Sequence, residues 1–271
     1  MKPLFCSLVF VSWFCAVHLW AAVDDVVNGP RLYAMGGAGC ALSGNPENLF
    51  YNPGALTPTR MWELNMYSAR LYGQDALRCT SLYGALNIHS VAMAAGGYMF
   101  GDELYRESLF CCAVNGAITE QVRLGACLRY ADVAIKDYGS AGALLIDLGG
   151  IVTLLPQVHW GWAVRNANAA VLGQCREKLP QVLISGLCAQ PADRCSLCLD
   201  VYKDTRFPVE YRAGVEFAPV PALDIRLGGS MEPDRFTAGF GLHVKNLALN
   251  YAYNTHSYLQ PCHFITLVLS K

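Results

Sequence analysis

Val209, Glu210, Tyr211, Arg212, Ala213, Gly214, Val215, Glu216, Phe217 and Ala218 alternate between apolar and polar or small residues. In a β-strand successive side chains point to opposite faces, so the odd positions make one apolar face and the even positions a polar one. A helix would mix the two sets. The same period recurs around this stretch: Leu223, Ile225 and Leu227 oppose Asp224, Arg226 and Gly228, and Val122, Leu124, Ala126, Leu128 and Tyr130 oppose Arg123, Gly125, Cys127 and Arg129. Phe236, Ala238, Phe240 and Leu242 oppose Thr237, Gly239 and Gly241, and Leu247, Leu249, Tyr251 and Tyr253 oppose Asn250 and Asn254. Turn-forming residues such as Glu232-Pro233-Asp234 and Lys245-Asn246 separate these runs.

Counted along the chain, the pattern predicts about fourteen strands, near 61–71, 78–88, 90–100, 108–118, 121–131, 144–154, 157–166, 181–190, 194–203, 208–218, 222–231, 234–243, 245–254 and 262–270. Alternation is weakest in the first three and near 144–154. An even number of strands of about ten residues, apolar on one face, is the pattern of an all-β, antiparallel transmembrane barrel. Closure follows because an unpaired sheet edge is not tolerated in lipid. A soluble β-sandwich gives the same alternation over shorter strands. Two features favour the barrel. The polar face is rich in glycine and in charges of both signs, as suits a filled, wet lumen. Tyr67, Tyr72, Tyr98, Tyr130, Tyr202, Tyr253 and Tyr258 fall toward strand ends, where they are expected to form interfacial girdles.

Composition agrees. Of 271 residues, 54% are hydrophobic and only 15% charged, against roughly 25% charged in an average soluble domain. This excludes intrinsic disorder. The formal charge of −1 gives no electrostatic reason for nucleic acid to be a partner. Residues 1–21, with Lys2, an apolar stretch from Leu4 to Trp20 and Ala21, read as a signal peptide cleaved after Ala21. A retained anchor helix is the alternative; lipid attachment at Cys15 fits poorly behind the bulky Phe14. Beyond it no window reaches the ~20 apolar residues of a spanning helix; Leu144 to Leu155 is short and holds Asp147.

Residues 22–58 differ from the barrel at 59–271. They are small and glycine-rich, with Gly36, Gly37 and Gly39, then Asn45, Pro46, Phe50, Tyr51, Asn52, Pro53 and Gly54. Asn45 is a good N-cap with Pro46 in the first helical position, predicting one helical turn that stops before Pro53. A dinucleotide loop would need glycine where Leu42 stands, and a preceding strand. Small residues here suit close backbone packing inside a narrow space.

The run Met35-Gly-Gly-Ala-Gly-Cys-Ala-Leu42, then Asn45-Pro46, then Leu49-Phe-Tyr-Asn-Pro-Gly-Ala-Leu56 resembles the N-terminal signature of FadL-like outer-membrane proteins, G-x-G-G-A-G-x-A…P…Y-N-P-A-G-L. The C-terminal third is similar to the PorV/PorQ group within them, at Leu179-Pro180, Leu199 to Lys203, Tyr211 to Phe217, Phe236 to Leu242 and Leu249 to Tyr253. The resemblance implies a fourteen-stranded barrel in the outer membrane of a diderm bacterium, its N-terminal segment folded inward as a plug. In the fatty-acid transporters of this group the plug and its Asn-Pro-Ala element gate a hydrophobic ligand, which can leave sideways through the wall. Asn52, Pro53 and Gly54 match that element, with glycine in the alanine place and Ala55 following. A passive channel for hydrophobic small molecules such as long-chain fatty acids is thus one expectation. A scaffold that hands secreted proteins to an export machine, as in the PorV group, is the other. A transporter is expected to show an apolar pocket beside Phe50, Tyr51 and Pro53; a scaffold, a lumen closed by charge pairs. Insertion implies the barrel-assembly machinery as a partner, although Lys271 stands where such chains carry a terminal aromatic.

Other chemistry is sparse. Twelve cysteines lack framework spacing and read as small hydrophobes, with an occasional disulfide left open. Cys195 and Cys198 have no second pair to complete a zinc site. No cofactor, metal site or catalytic set is expected. Arg123, Arg129, Asp200, Glu210, Arg212, Glu216, Asp224 and Arg226 read as lumen charges, with Glu210, Arg212 and Glu216 forming a salt-bridge ladder.

Overall fold

The computed structural model describes residues 29–57, 60–174, 176–256 and 258–271. The expected signal peptide and its cleavage point lie outside them. A short helix, α1 (Pro30–Ala34), is followed by two 3-10 turns, Pro46–Leu49 and Pro53–Ala55. Then come β1 (Trp62–Arg70), β2 (Arg78–Ile88), β3 (Val91–Gly101), β4 (Tyr105–Ala117), β5 (Val122–Ile135), β6 (Gly139–Leu155) and β7 (Val158–Arg165). A two-stranded ribbon, β8 (Val171–Leu172) with β9 (Glu177–Lys178), interrupts the series. The chain continues through β10 (Val182–Ala192), β11 (Cys195–Asp204), β12 (Glu210–Val220), β13 (Leu223–Met231), β14 (Arg235–Val244), β15 (Leu247–Asn254) and β16 (Cys262–Ser270).

All strands except the ribbon form one closed barrel of fourteen, each paired antiparallel to its neighbour in the chain, and β16 pairs back onto β1. Closure is completed at the chain end, where Trp62 and Lys271 exchange backbone hydrogen bonds of 3.1 Å in both directions. The terminal lysine thus belongs to the last rung of the sheet. Turns at this end are tight (89–90, 156–157, 193–194, 221–222, 245–246), while the opposite end carries longer connections such as 166–181 and 255–261.

The alternation read from sequence translates directly into two faces. Leu199, Phe110 and Leu267 are 62%, 61% and 58% exposed on the outside, while Arg226, which alternates with Ile225 and Leu227, is 2% exposed inside. This inside-out distribution leaves apolar side chains no partner except an apolar solvent, as in a membrane barrel.

Two expectations need correction. Tyr67, Tyr98 and Tyr202 do not join an outer girdle; they point inward and are at most 5% exposed. Position along a strand had suggested an interface, but parity decides the face, and these three share parity with inward neighbours. Tyr130 does face out, and Tyr258 is exposed in the connection between β15 and β16. The strand expected at 144–154 starts at Gly139, and its partner β5 runs to Ile135. Gly139, Ala141, Gly142 and Ala143 carry too little hydrophobic contrast to show a period, yet their backbones pair fully, from Ile135 with Gly139 onward.

Candidate functional site

Residues 29–56 lie inside the barrel, and nearly all of them are buried. The segment touches the wall on opposite sides: α1 packs on β13 to β16, and the turn at Pro53–Ala55 packs on β4 to β7. Its shape is set locally. Gly36 and Gly37, at φ +69° and +76°, end α1 in the left-handed region that only glycine enters without cost, and the Gly37 amide donates to the Leu32 carbonyl at 2.8 Å. The expected turn after Asn45 is present as a 3-10 turn, with Asn45 Oδ1 accepting from the Glu47 amide at 3.0 Å. Asn52 caps a second turn in the same way, its Oδ1 accepting from the Gly54 amide at 2.9 Å. Glu47 turns back on α1, its carboxylate accepting from the Leu32 and Arg31 amides at 3.1 and 3.3 Å. Burial pushes the Glu47 carboxyl above its ordinary pKa, while those amides and Asn45 pull the other way.

The wall receives this segment through notches. A Cβ on Gly125 would lie 2.2 Å from the Pro53 carbonyl oxygen, one on Gly161 2.3 Å from that of Cys40, and one on Gly228 2.2 Å from the Met35 carbonyl carbon. The inward glycines are therefore seats for backbone. Gly54 is the reciprocal case: its Cβ would stand 2.3 Å from the Gly150 amide nitrogen, which explains why glycine occupies the alanine place of the signature.

Two polar anchors complete the fit. Asp200 on β11 aims Oδ2 at the segment and accepts from the Gly39 and Cys40 amides, both at 2.8 Å; the Tyr51 hydroxyl lies 2.9 Å from the same oxygen and 2.7 Å from the Gly37 carbonyl. Arg212 lies over the Tyr202 ring at 3.6 Å and pairs with Glu210 at 2.9 Å; Arg235 pairs with the other Glu210 oxygen. On the far side Asn52 donates to the Cys40 and Gly150 carbonyls at 2.6 and 3.2 Å, and Asn115 donates to the Pro53 carbonyl at 3.0 Å and to that of Gly54. Arg123 holds Asn115 from behind, at 2.7 and 2.9 Å from its Oδ1.

Arg31 is the segment's own cation. It forms a two-pronged pair with Glu216 at 2.6 and 2.8 Å, and Glu216 leads through Arg226 to Asp224, each step 2.6 Å, then to His243 at 2.7 Å. The expected ladder of Glu210, Arg212 and Glu216 is therefore present only in part: Arg212 pairs with Glu210, whereas Glu216 turns to Arg31 and Arg226 and belongs to a second series joined to the segment. Replacing Arg31 with alanine is expected to loosen α1 only modestly, by about 1 kcal/mol, because Glu216 keeps Arg226 as a partner. Hydrogen exchange at the Leu32 and Tyr33 amides checks this.

Of the residues singled out from sequence, Gly36, Gly37, Gly39, Asn45, Pro46, Phe50, Tyr51, Asn52, Pro53 and Gly54 all lie in the buried segment. Asp200, Glu210, Arg212, Glu216 and Arg226 surround one half of it. Arg129 belongs elsewhere, paired with Asp147 at 2.8 Å. Asn115 and Asp147 escaped the sequence reading. Asn115 carries no charge and shares parity with Cys111 and Ala113, and Asp147 sits where the alternation is weak.

The pocket expected beside Phe50, Tyr51 and Pro53 is not what surrounds them. Phe50 packs edge-on to Tyr83 at 5.2 Å and lies near Tyr98 at 6.4 Å, in an apolar cluster with Leu49, Leu56, Tyr67, Leu109 and Leu145. A cavity of about 1130 Å³ instead lies at the wall. Its lining combines outward residues (Leu187, Leu199, Tyr211, Phe236) with the inward Asp200 and Arg212. Its lining thus includes Asp200, which holds the segment. A smaller polar cavity of about 330 Å³, including Arg31, Glu47, Glu63 and Glu216, lies on the other side of α1.

A closed fourteen-stranded barrel with an N-terminal segment seated inside it defines an architecture shared with solved proteins. The toluene transporter TbuX of Ralstonia pickettii superposes with a TM-score of 0.67 over 89% of this chain and 98% of its own, at 12% identity. The CymD monoaromatic hydrocarbon channel gives 0.68 over 92% and 99%, at 13% identity, and a Pseudomonas aeruginosa FadL homologue 0.61 over 90% and 98%, at 11%. At these identities the likeness is one of fold. The sequence matches no protein-family model and no curated protein.

Proposed function

We propose that this chain is a passive outer-membrane channel for hydrophobic small molecules such as long-chain fatty acids, in a diderm bacterium and after removal of its signal peptide, with residues 29–56 as a gating plug. The observation that carries the proposal is the apolar wall cavity whose lining includes Asp200 and Arg212, which hydrogen-bond to the segment. A ligand partitions from the apolar phase into the cavity. Arg235, whose side chain is 29% exposed against 6% for Arg212, offers a guanidinium to a carboxylate headgroup in competition with Glu210. Disturbing this cluster weakens the hold on Gly39 and Cys40, so the segment shifts and the ligand passes. No step makes or breaks a covalent bond. The shared fold with hydrocarbon transporters supports the reading.

The test is uptake into liposomes by the reconstituted chain and by a variant lacking residues 29–56. Labelled fatty acid is expected to enter faster with either protein than into empty vesicles, and Arg235→Ala is expected to slow a fatty acid several-fold but not toluene. Background uptake by both proteins would overturn transport. A scaffold or shuttle for secreted proteins, or a structural barrel without transport, is the second reading. The ion-paired interior around Glu216 and Arg226 and the sequence similarity to the PorV/PorQ group favour it. In either case the barrel-assembly machinery is the expected partner for insertion.

A further inference from the structure

We infer that Cys188 and Cys198 are joined by a disulfide across β10 and β11, beneath the plug. The two residues are directly opposed in the antiparallel register. Both point inward and are 1% exposed, and their sulfurs are in contact at 2.7 Å. Directly opposed antiparallel residues have Cα atoms roughly 4.5–5.5 Å apart, inside the roughly 4.4–6.8 Å span that a disulfide accepts. Among the described residues no other cysteines face each other in this way. Cys111 and Cys127 also point inward on adjacent strands and their side chains meet, but they are not directly opposed: Cys111 pairs with Arg129 and Cys127 with Ala113. That diagonal spacing is about 7–8 Å, beyond an unstrained bridge. Cys195 lies on the face opposite to Cys198.

The position gives the bond a role. Cys198 precedes Asp200 by two residues on the same inward face, and both cysteines pack with Met35, Ala38, Ala41 and Leu42 of the segment. A covalent rung here fixes the height of the carboxylate that receives the Gly39 and Cys40 amides. Because the docked segment covers the sulfurs, oxidation precedes docking. The oxidant is a disulfide-bearing thiol oxidase or small-molecule disulfide of the extracytoplasmic space, and for this compartment alone the inference rests on the proposed location. The Cys198 thiolate attacks the donor disulfide, forming a mixed disulfide and releasing one donor thiol. The Cys188 thiolate then attacks the Cys198 sulfur and displaces the second. Two electrons and two protons leave the cysteine pair, and the donor disulfide becomes two thiols.

The experiment has two arms: the chain isolated from membranes of an expressing diderm host, and the chain refolded in detergent with oxidised glutathione. Each folded sample, identified by heat-modifiable migration on a gel, is acid-quenched and blocked with light maleimide in denaturant. It is then reduced and labelled with heavy maleimide. Heavy label on Cys188 and Cys198, with light label on Cys111 and Cys127, is the expected result, and Cys188→Ser is expected to turn Cys198 light. Light label on both in the refolded arm, or a bridge from either to another cysteine, overturns the inference. Heavy label in the refolded arm with light label in the membrane arm supports the bond and counts against the proposed location.

Discussion

Replacing Asp200 with alanine is expected to release the N-terminal segment from the barrel wall. The substitution removes the single oxygen that accepts from both the Gly39 and Cys40 amides and lies beside the Tyr51 hydroxyl. Gly39 and Cys40 are both buried, so water does not readily replace the lost acceptor. Orphaning a buried donor costs about 1–3 kcal/mol, so two of them cost about 2–6 kcal/mol. This is a large fraction of what holds a short segment in place. Arg212 retains Glu210, so the wall itself keeps a paired charge. The expected readout is faster amide exchange at residues 36–42 by several orders of magnitude, with heat-modifiable migration of the barrel retained. Asp200→Asn, which keeps an acceptor but loses the charge, is expected to fall between. Unchanged exchange at Gly39 and Cys40 in the alanine variant would show that the anchor is elsewhere.

The second large effect is expected from a change toward the signature that the segment resembles. Gly54→Ala would supply the alanine of the Asn-Pro-Ala element that this stretch resembles, yet here the new methyl would stand 2.3 Å from the Gly150 amide nitrogen and 2.4 Å from the Gly150 Cα. The obstacle is backbone in the middle of β6, which cannot rotate away, and Asn115 holds the Pro53 and Gly54 carbonyls from the other side. Overpacking of this kind costs about 1–3 kcal/mol. We expect a lower midpoint for release of the segment in a denaturant titration followed by Phe50 and Tyr51 environment, while strand content is preserved. If Gly54→Ala leaves that midpoint unchanged, the turn is not seated against β6 as described.

The barrel was legible in the chain because a strand's period is two and lipid demands one apolar face. Glu210 to Ala218 carries that period without any help from its neighbours. The same rule placed Asp200, Arg212, Glu216 and Arg226 inside, and Asn45-Pro46 marked one turn; the second turn, capped by Asn52 where the sequence had suggested only an end, is seen in the structure alone. It failed where side chains are too small to register a period, at Gly139 to Ala143, and where strand position was taken to outweigh parity, at Tyr67, Tyr98 and Tyr202.

What tertiary structure alone decided is the match between the inserted segment and the wall. Gly125, Gly161 and Gly228 read in sequence only as small residues on a polar face. Their meaning depends on which backbone comes to lie against each, and that is set by contacts between residues far apart in the chain. The direction of Asp200 is sequence information; that it meets Gly39 and Cys40 is not. Local periodicity is encoded residue by residue, whereas complementarity between two distant stretches exists only once the barrel has closed around them.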